Sequence, residues 1–391
     1  MRRTGHIRER SPGSFEIRYN LGTDPATGRR KIATATVRGS RKDAEKELRR
    51  LLRSVDTNEH VDPNRMTVKQ WLTSWLGSVR DEVAARTHER YNEIVSNFLI
   101  PALGNLPITK LAPAHLQSAY ATWATGGRRD SKPGGLSPQT RRHIHRILSA
   151  ALTRAVEQQV IARNPCDAFK KKRLPKVERR QLATLTAQQA NVLLDRIHHS
   201  RVYWPALIAL ATGMRRGEIL ALRWKNVGEN GVARVVESLE QTKAGLRFKP
   251  PKGGKVRAVA LPAFAIEELR RLKREQAEAL LALGVRQSGE TLVCARADGK
   301  PMQPRSLTHE FTVLIAKQKD LPRVRFHDLR HSHATQLLSA GVHPKIAQER
   351  LGHSTISITM DLYSHVTETM QEDAAARLDA AFRGGKIRPP K

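Results

Sequence analysis

A chain of 391 residues with 69 Lys and Arg against 37 Asp and Glu carries a formal charge of +32 at pH 7. That excess limits the available folds more than any other feature, because a compact body so charged repels itself unless a polyanion shares its surface. Nucleic acid is the usual polyanion, since each phosphate neutralised by Lys or Arg releases condensed counterions. A membrane surface or a ribosome would also accept the charge. Hydrophobic residues make up 39%, enough for ordinary cores, while aromatic residues are only 5%, so those cores rest on Leu, Ile, Val and Ala. The length exceeds what one core organises and predicts two or three domains.

Cys166 and Cys294 are the two cysteines, too few and too far apart for a disulfide framework or a Cys-based zinc site, which fits a reducing cytosol. The opening MRRTGHIRER has no apolar run behind its basic residues, and no stretch approaches a membrane span. The expectation is a soluble intracellular protein with no membrane partner.

Periodicity divides the chain. Ser14 to Asn20 reads as a strand, Gly22 to Gly28 as a turn and Arg30 to Val37 as a returning strand. Ser40 then opens a helix with Ala44, Leu48, Leu51, Leu52 and Val55 on one face. Residues 1–56 hold 15 Lys or Arg against 7 acids, so this small sheet with its helix looks like a DNA-binding module, or else a solvated ordinary domain. From Thr67 the pattern is helical. Val68, Trp71, Leu72, Trp75, Leu76 and Val79 form one stripe, and Tyr91, Ile94, Phe98 and Leu99 a second. Leu116, Tyr120 and Trp123 follow Pro113, and a last helix opens at Ser137-Pro138, an N-cap and N1 pair. These aromatics read as core residues rather than base-stacking groups. The expectation is a four-helix domain over 65–165.

KKKRLPKVERR (170–180) has seven basic residues and one acid around a proline, suited to a tether along a phosphate backbone or to a plain solvated linker. Beyond it, helices alternate with a short strand section at 231–261, and the basic RGGKIRPPK (383–391) closes the chain.

Four segments of this last region carry chemistry. In ATGMRRGEILALRW (211–224) an apolar helix breaks at Thr212-Gly213 and a new one begins beside Arg215, with Glu218 read as a structural partner of the arginines or backbone. In RFKPPKGGKVRAVALP (247–262) two strand-like runs flank Pro-Pro-Lys-Gly-Gly, predicting a hairpin tip that presents Lys252. In HDLRHSHATQLLSAG (327–341), His327 and Arg330 share one face at the start of a helix that Gly341 ends, and an imidazole beside a guanidinium there suits an anion. In LGHSTISITMDLYSH (351–365), Gly352 stops a short helix, His353 sits in the turn, and Tyr363 lies ten residues on. Taken singly, the His–Arg pair reads as surface decoration, the lysine as solvated and the tyrosine as half-buried core.

Taken in order, TGMRRGE, a lysine on a β-hairpin, HDLRHSHAT and LGHSTISITMDLY resemble the tyrosine recombinase (phage integrase) family across the C-terminal half. The upstream helical region resembles that family's core-binding, SAM-like domain, and the N-terminal sheet and helix resemble its arm-binding domain. The resemblance implies a multidomain, mainly α fold with small β-sheets. Its parts would be an N-terminal arm-type DNA-binding domain at 1–60, a helical core-binding domain at 65–165, a basic linker at 166–182, a mixed α/β catalytic domain at 183–385 and a basic tail at 386–391. It also implies a site-specific DNA recombinase that integrates and excises a phage or mobile element as a homotetramer on double-stranded attachment sites. Its place would be the cytoplasm of a bacterial host, associated with the nucleoid. An excisionase and a host DNA-bending protein are further partners it leaves room for.

The residues suit that reaction. When a phenol attacks a phosphodiester, negative charge grows on the nonbridging oxygens, and Arg215 and Arg330 can hold them with forked donors that never lose their charge. The resemblance makes Tyr363 the nucleophile, His353 a further donor, His327 the residue that moves the phenol proton and Lys252 the acid for the leaving 5′ oxygen. The product would be a 3′-phosphotyrosyl enzyme and a free 5′-hydroxyl. The bond energy stays in the protein–DNA link, so no cofactor and no metal are expected. The sequence agrees in having neither a phosphate-binding Gly-rich loop ending in Lys-Ser/Thr nor a carboxylate cluster suited to paired Mg²⁺. Lys249 and Lys255 contend with Lys252, and Arg216 more weakly with Arg215. A resolvase or type IB topoisomerase would share this chemistry, and a DNA-binding regulator on a decayed scaffold is the non-enzymatic alternative.

Overall fold

The computed structural model describes residues 5–23, 30–56, 66–130, 132–169, 174–177 and 183–363, with four single positions beyond. Much of the basic linker and the whole segment 386–391 lie outside the described residues, as do residues 57–60 at the end of the first expected domain. The chain divides into two compact units, 1–179 and 180–391.

The first unit opens with β1 (Gly5–Ser11), β2 (Ser14–Thr23) and β3 (Arg30–Arg38), an antiparallel sheet in sequence order. The sequence reading has β2 and β3 but not β1, because GHIRERS offers almost no apolar alternation; its register on β2, Ile7 opposite Ile17, supplies the strand instead. Helix α1 (Arg41–Asp56) packs on this sheet, where Phe15, Ile17, Tyr19, Ala33 and Ala44 are buried.

A helical core follows, built from α2 (Val68–Ser78), α3 (Ala85–Ile94), α4 (Ile100–Leu103), α5 (Pro113–Thr125) and α6 (Pro138–Glu157). One π-helical turn, Val95–Leu99, joins α3 to α4. Pro101 lies just after it, and a proline ring collides with the carbonyl four residues back, which accounts for the widened turn. Thr67 and Gln70 cap α2 reciprocally, and Ser137 caps α6 with Pro138 at its first position, as its sequence predicts. The Trp71, Leu72, Trp75, Ile144, Leu148 and Leu152 stripes meet inside, and the Trp71 indole donates to the Ala151 carbonyl at 2.9 Å, so its one polar atom is satisfied in the core.

The second unit is mixed. It contains α7 (Ala187–Arg196), α8 (Tyr203–Thr212), α9 (Arg216–Ala221), β4 (Val232–Val235), β5 (Ser238–Thr242), β6 (Gly245–Lys249), β7 (Arg257–Ala260), α10 (Ala263–Ala282), α11 (Pro304–Ala316), α12 (Asp328–Ser339), α13 (Pro344–Leu351) and α14 (Ile356–Tyr363). The runs flanking Pro-Pro-Lys-Gly-Gly do not form the expected hairpin with each other: β6 pairs β5, and β7 pairs β4. The tight turn is Lys243-Ala244, between Thr242 and Gly245, while Lys252 rides the loop linking the two small sheets. A large core gathers Leu207, Ile219, Val259, Phe311 and Leu329, and a smaller one, Ala334, Leu338, Ala347 and Leu351, joins α12 to α13. Among the described residues no helix is long and apolar enough to cross a membrane.

Candidate active site

Two helices of the second unit end at the same place. α8 stops at Gly213 (φ 66°) and α13 at Gly352 (φ 64°), both in the left-handed conformation that glycine adopts without strain. A Cβ on Gly213 would stand 2.6 Å from both His333 Cδ2 and Leu351 Cδ2, so the close approach also requires the missing side chain. The last carbonyls of a helix lack intrahelical partners and form the negative end of its dipole. Here cationic side chains take most of them.

Arg330, 3% exposed, bridges the two ends: Nη1 donates to the Gly213 carbonyl and Nη2 to the Leu351 carbonyl, each at 2.6 Å. Arg215 Nη2 donates to the next carbonyl, Gly352, at 2.9 Å. Arg257 Nε donates to the Arg350 carbonyl at 3.0 Å, and Arg350 Nη2 to that of Ala211 at 2.9 Å. His333 Nδ1 meets the Leu210 carbonyl at 2.7 Å, which fixes the proton there and leaves Nε2 to accept from Arg350 Nε at 3.1 Å. Helix ends thus supply the partial negative charge that lets several guanidiniums crowd together.

One carboxylate completes the cluster. Glu218 is 2% exposed and accepts from the Arg215 amide (2.8 Å), Arg215 Nη1 (2.9 Å) and Arg257 Nη1 and Nη2 (3.1 and 2.6 Å). Burial acts to raise its pKa, yet Arg257 and then Arg215 outweigh it and hold the group below the ordinary carboxylate value. Its expected structural role is the one it has. Burial, then the Arg215 charge, push the Arg330 pKa down from its ordinary value.

His353 follows Gly352, and the buried Thr359 of α14 holds its Nδ1 at 2.9 Å. Burial first, then the charges of Arg330 and Arg215, bring its pKa down to about 4, so the ring is neutral at pH 7. His327 stands exposed just before α12, its ring edge-on to His331 at 5.2 Å between centroids, with its pKa lowered by partial burial and by the neighbouring His331 and Arg330. Asp328, the first residue of α12, accepts from the Arg325 amide and guanidinium.

Arg215, Arg330 and His353 therefore converge, while Lys252 is exposed on its loop. Of its rivals, Lys249 is bound to Glu240 and Lys255 is exposed. Arg216 points elsewhere, to Thr308 on α11. Tyr363 closes α14, and its side chain lies outside the described residues. Sequence reasoning missed Arg257, Arg350, His333 and Thr359, and no local spacing marks any of them.

Comparison with known proteins points the same way. Residues 183–370 match the phage integrase family, and residues 67–124 match its N-terminal SAM-like domain. The ICEBs1 integrase of Bacillus subtilis is 27% identical over 378 residues, spanning 95% of this chain and 99% of that protein. The Tn1549 transposon integrase, solved in complex with a circular intermediate DNA, superposes with a TM-score of 0.66 at 25% identity, covering 80% of this chain and 99% of that one. A lambda integrase tetramer bound to a Holliday junction shares the fold, with a TM-score of 0.53 at 18% identity over 89% of this chain and 95% of that one. With two of its domains matched and a relative aligned almost end to end, the chain belongs to the phage integrase family of tyrosine recombinases.

Proposed function

We propose that this chain is a site-specific integrase that cuts and rejoins double-stranded DNA to insert and excise a phage or other mobile element. It works as a homotetramer on attachment sites, with an excisionase and a host bending protein as further partners, in the bacterial cytoplasm at the nucleoid. Residues 1–60 grip arm sites, 65–165 the core site, 166–182 track the backbone between them, 183–385 carry out the chemistry, and 386–391 form a basic tail.

The observation that carries this reading is that Arg215 and Arg330, distant in sequence, donate to the adjacent carbonyls Gly352 and Leu351, beside His353. A guanidinium has five N–H donors. Each of these two spends two of them on the hydrogen bonds described above, leaving donors for the nonbridging oxygens of a scissile phosphate. Neutral His353 offers one more N–H. Position 363 lies one helical turn beyond Thr359, on the helix face that Thr359 turns toward His353, which supports Tyr363 as the nucleophile. The Tyr363 oxygen attacks phosphorus and its proton passes to His327; the bond to the 5′ oxygen breaks, and Lys252 protonates that oxygen. Charge developing on the phosphate is met by donors already in place, the kind of arrangement in which one donor contributes about 10²–10³ in rate. The bound pair of Lys249 with Glu240 favours Lys252 in the acid role.

The test is a plasmid pair carrying the element's attachment sites, incubated with the protein in EDTA without nucleotide. Recombinant joints support the proposal. Relaxation of one supercoiled plasmid without joints means a topoisomerase, and DNA retention without either means a regulator.

A further inference from the structure

Arg257 is none of the residues to which the family resemblance gives a role, yet it occupies the centre of the polar network. It is the first residue of β7, five residues past Lys252, and its side chain is 11% exposed. Both of its terminal nitrogens engage Glu218, one on each carboxylate oxygen, and its Nε caps the Arg350 carbonyl. The guanidinium lies directly against Gly352, where an added Cβ would come within 3.2 Å of its Cδ and Nη1. Arg257 thus directs all three of its nitrogens to partners within the protein, and its side chain is the more buried of the two that hold Glu218.

We infer that Arg257 is a positioning residue that keeps the charge of Arg215 available to the scissile phosphate. The inference rests on the phosphate-gripping role proposed for Arg215. Glu218 is the only carboxylate described in contact with either guanidinium, and both arginines share it. With Arg257 present, two guanidiniums and one carboxylate leave a net positive charge. Without it, the buried carboxylate has Arg215 alone as its cationic partner, the pair sums to zero, and Arg215 is drawn inward to satisfy both oxygens. The same side chain ties β7, and so the end of the Lys252 loop, to the α13 terminus that Arg215 and Arg330 cap. Arg257 sets the electrostatics through Glu218 rather than by touching DNA.

The experiment measures single-turnover formation of the covalent adduct by the full chain on a nicked duplex carrying its own recombination site. Two forms of the duplex are used: an ordinary scissile phosphate, and a methylphosphonate, in which a methyl group replaces one nonbridging oxygen and removes the charge. Arg257→Gln is expected to slow the ordinary reaction about 10²-fold with DNA affinity nearly unchanged. On the methylphosphonate the slowing shrinks below about tenfold, because that group carries one negative charge fewer throughout the reaction and leaves less for Arg215 to neutralise. Adding Glu218→Gln to Arg257→Gln recovers part of the rate, since the charge that Arg257 balances is then gone. Equal slowing on both substrates, with the double variant no faster than the single, overturns the inference. Arg257→Lys, which keeps the charge but not the fork, is expected to fall between wild type and Arg257→Gln, and serves in its place if Arg257→Gln does not fold; a Lys variant slowed equally on both substrates also overturns it. Arg215→Gln is the control arm: if its own defect does not shrink on the methylphosphonate, the role proposed for Arg215 is what fails.

Discussion

The guanidinium of Arg330 donates to the Leu351 carbonyl at 2.6 Å while its other terminal nitrogen reaches back to Gly213, so a single buried cation seals the ends of α13 and α8. In the proposed reaction folding and catalysis are joined at that contact: the side chain that satisfies two helix termini is the one assigned to the phosphate, and the neighbouring Arg215 and His353 are placed by the same two ends.

Arg330→Lys keeps a positive charge but cannot bridge two carbonyls at once. It is expected to slow covalent-adduct formation about 10²–10³-fold and to lower the unfolding midpoint, since an orphaned buried carbonyl costs about 1–3 kcal/mol. Single-turnover cleavage and thermal melts check both; a variant with normal rate and normal melting contradicts the bridging role.

Gly213→Ala forces a Cβ into His333 and Leu351 at a positive φ. Overpacking of this kind costs about 1–3 kcal/mol, beyond the backbone strain itself. Gly253→Ala is the matched control, because its φ is also positive (88°) but nothing lies within 4 Å of the added carbon. Urea titration should show the larger loss at Gly213; equal losses would mean that the contact is not tight.

Acid should destabilise the second unit before carboxylates protonate. Burial, ahead of the Arg350 and Arg330 charges, lowers the His333 pKa from 6.5 to about 4, while its bond to the Leu210 carbonyl opposes the shift. The unfolded chain therefore binds more protons below pH 6.5, and the stability this histidine contributes, full above that pH, declines as the pH falls toward 4. By pH 5 the loss amounts to about 2 kcal/mol. His333→Asn, which does not titrate, should melt with a flatter pH dependence between 6.5 and 5; an unchanged slope counts against the assignment.

Lys252→Ala is expected to slow cleavage about 10²–10⁴-fold on ordinary DNA. A bridging 5′ sulfur leaves without needing a proton and should return the variant close to wild type. Lys255→Ala should cleave normally on both. Rescue of Lys255→Ala, rather than Lys252→Ala, would transfer the role to that neighbour.

How much of this could be read in the sequence differs from segment to segment. The stripe from Val68 to Val79 and the cap at Ser137-Pro138 are local, and local spacing specifies them. The hairpin was misplaced because Pro-Pro-Lys-Gly-Gly is a stronger turn signal than Lys243-Ala244, while the pairing of β7 with β4 depends on residues more than twenty positions apart. β1 has no apolar pattern of its own and is set by its neighbour. Arg215, Arg330 and His353 were legible because their motifs occur together in order. Arg257 and Arg350 are two among 69 basic residues, and nothing local marks which of those turn inward to a helix terminus.

The central claim is that Tyr363 forms the covalent bond to DNA at a phosphate held by Arg215 and Arg330. Its most direct measurement is the protein–DNA adduct formed on a nicked duplex whose short cleaved strand diffuses away. The wild-type chain should give an adduct that survives denaturation, and Tyr363→Phe should give none while still retarding the same DNA. An adduct of undiminished yield from Tyr363→Phe would contradict the account.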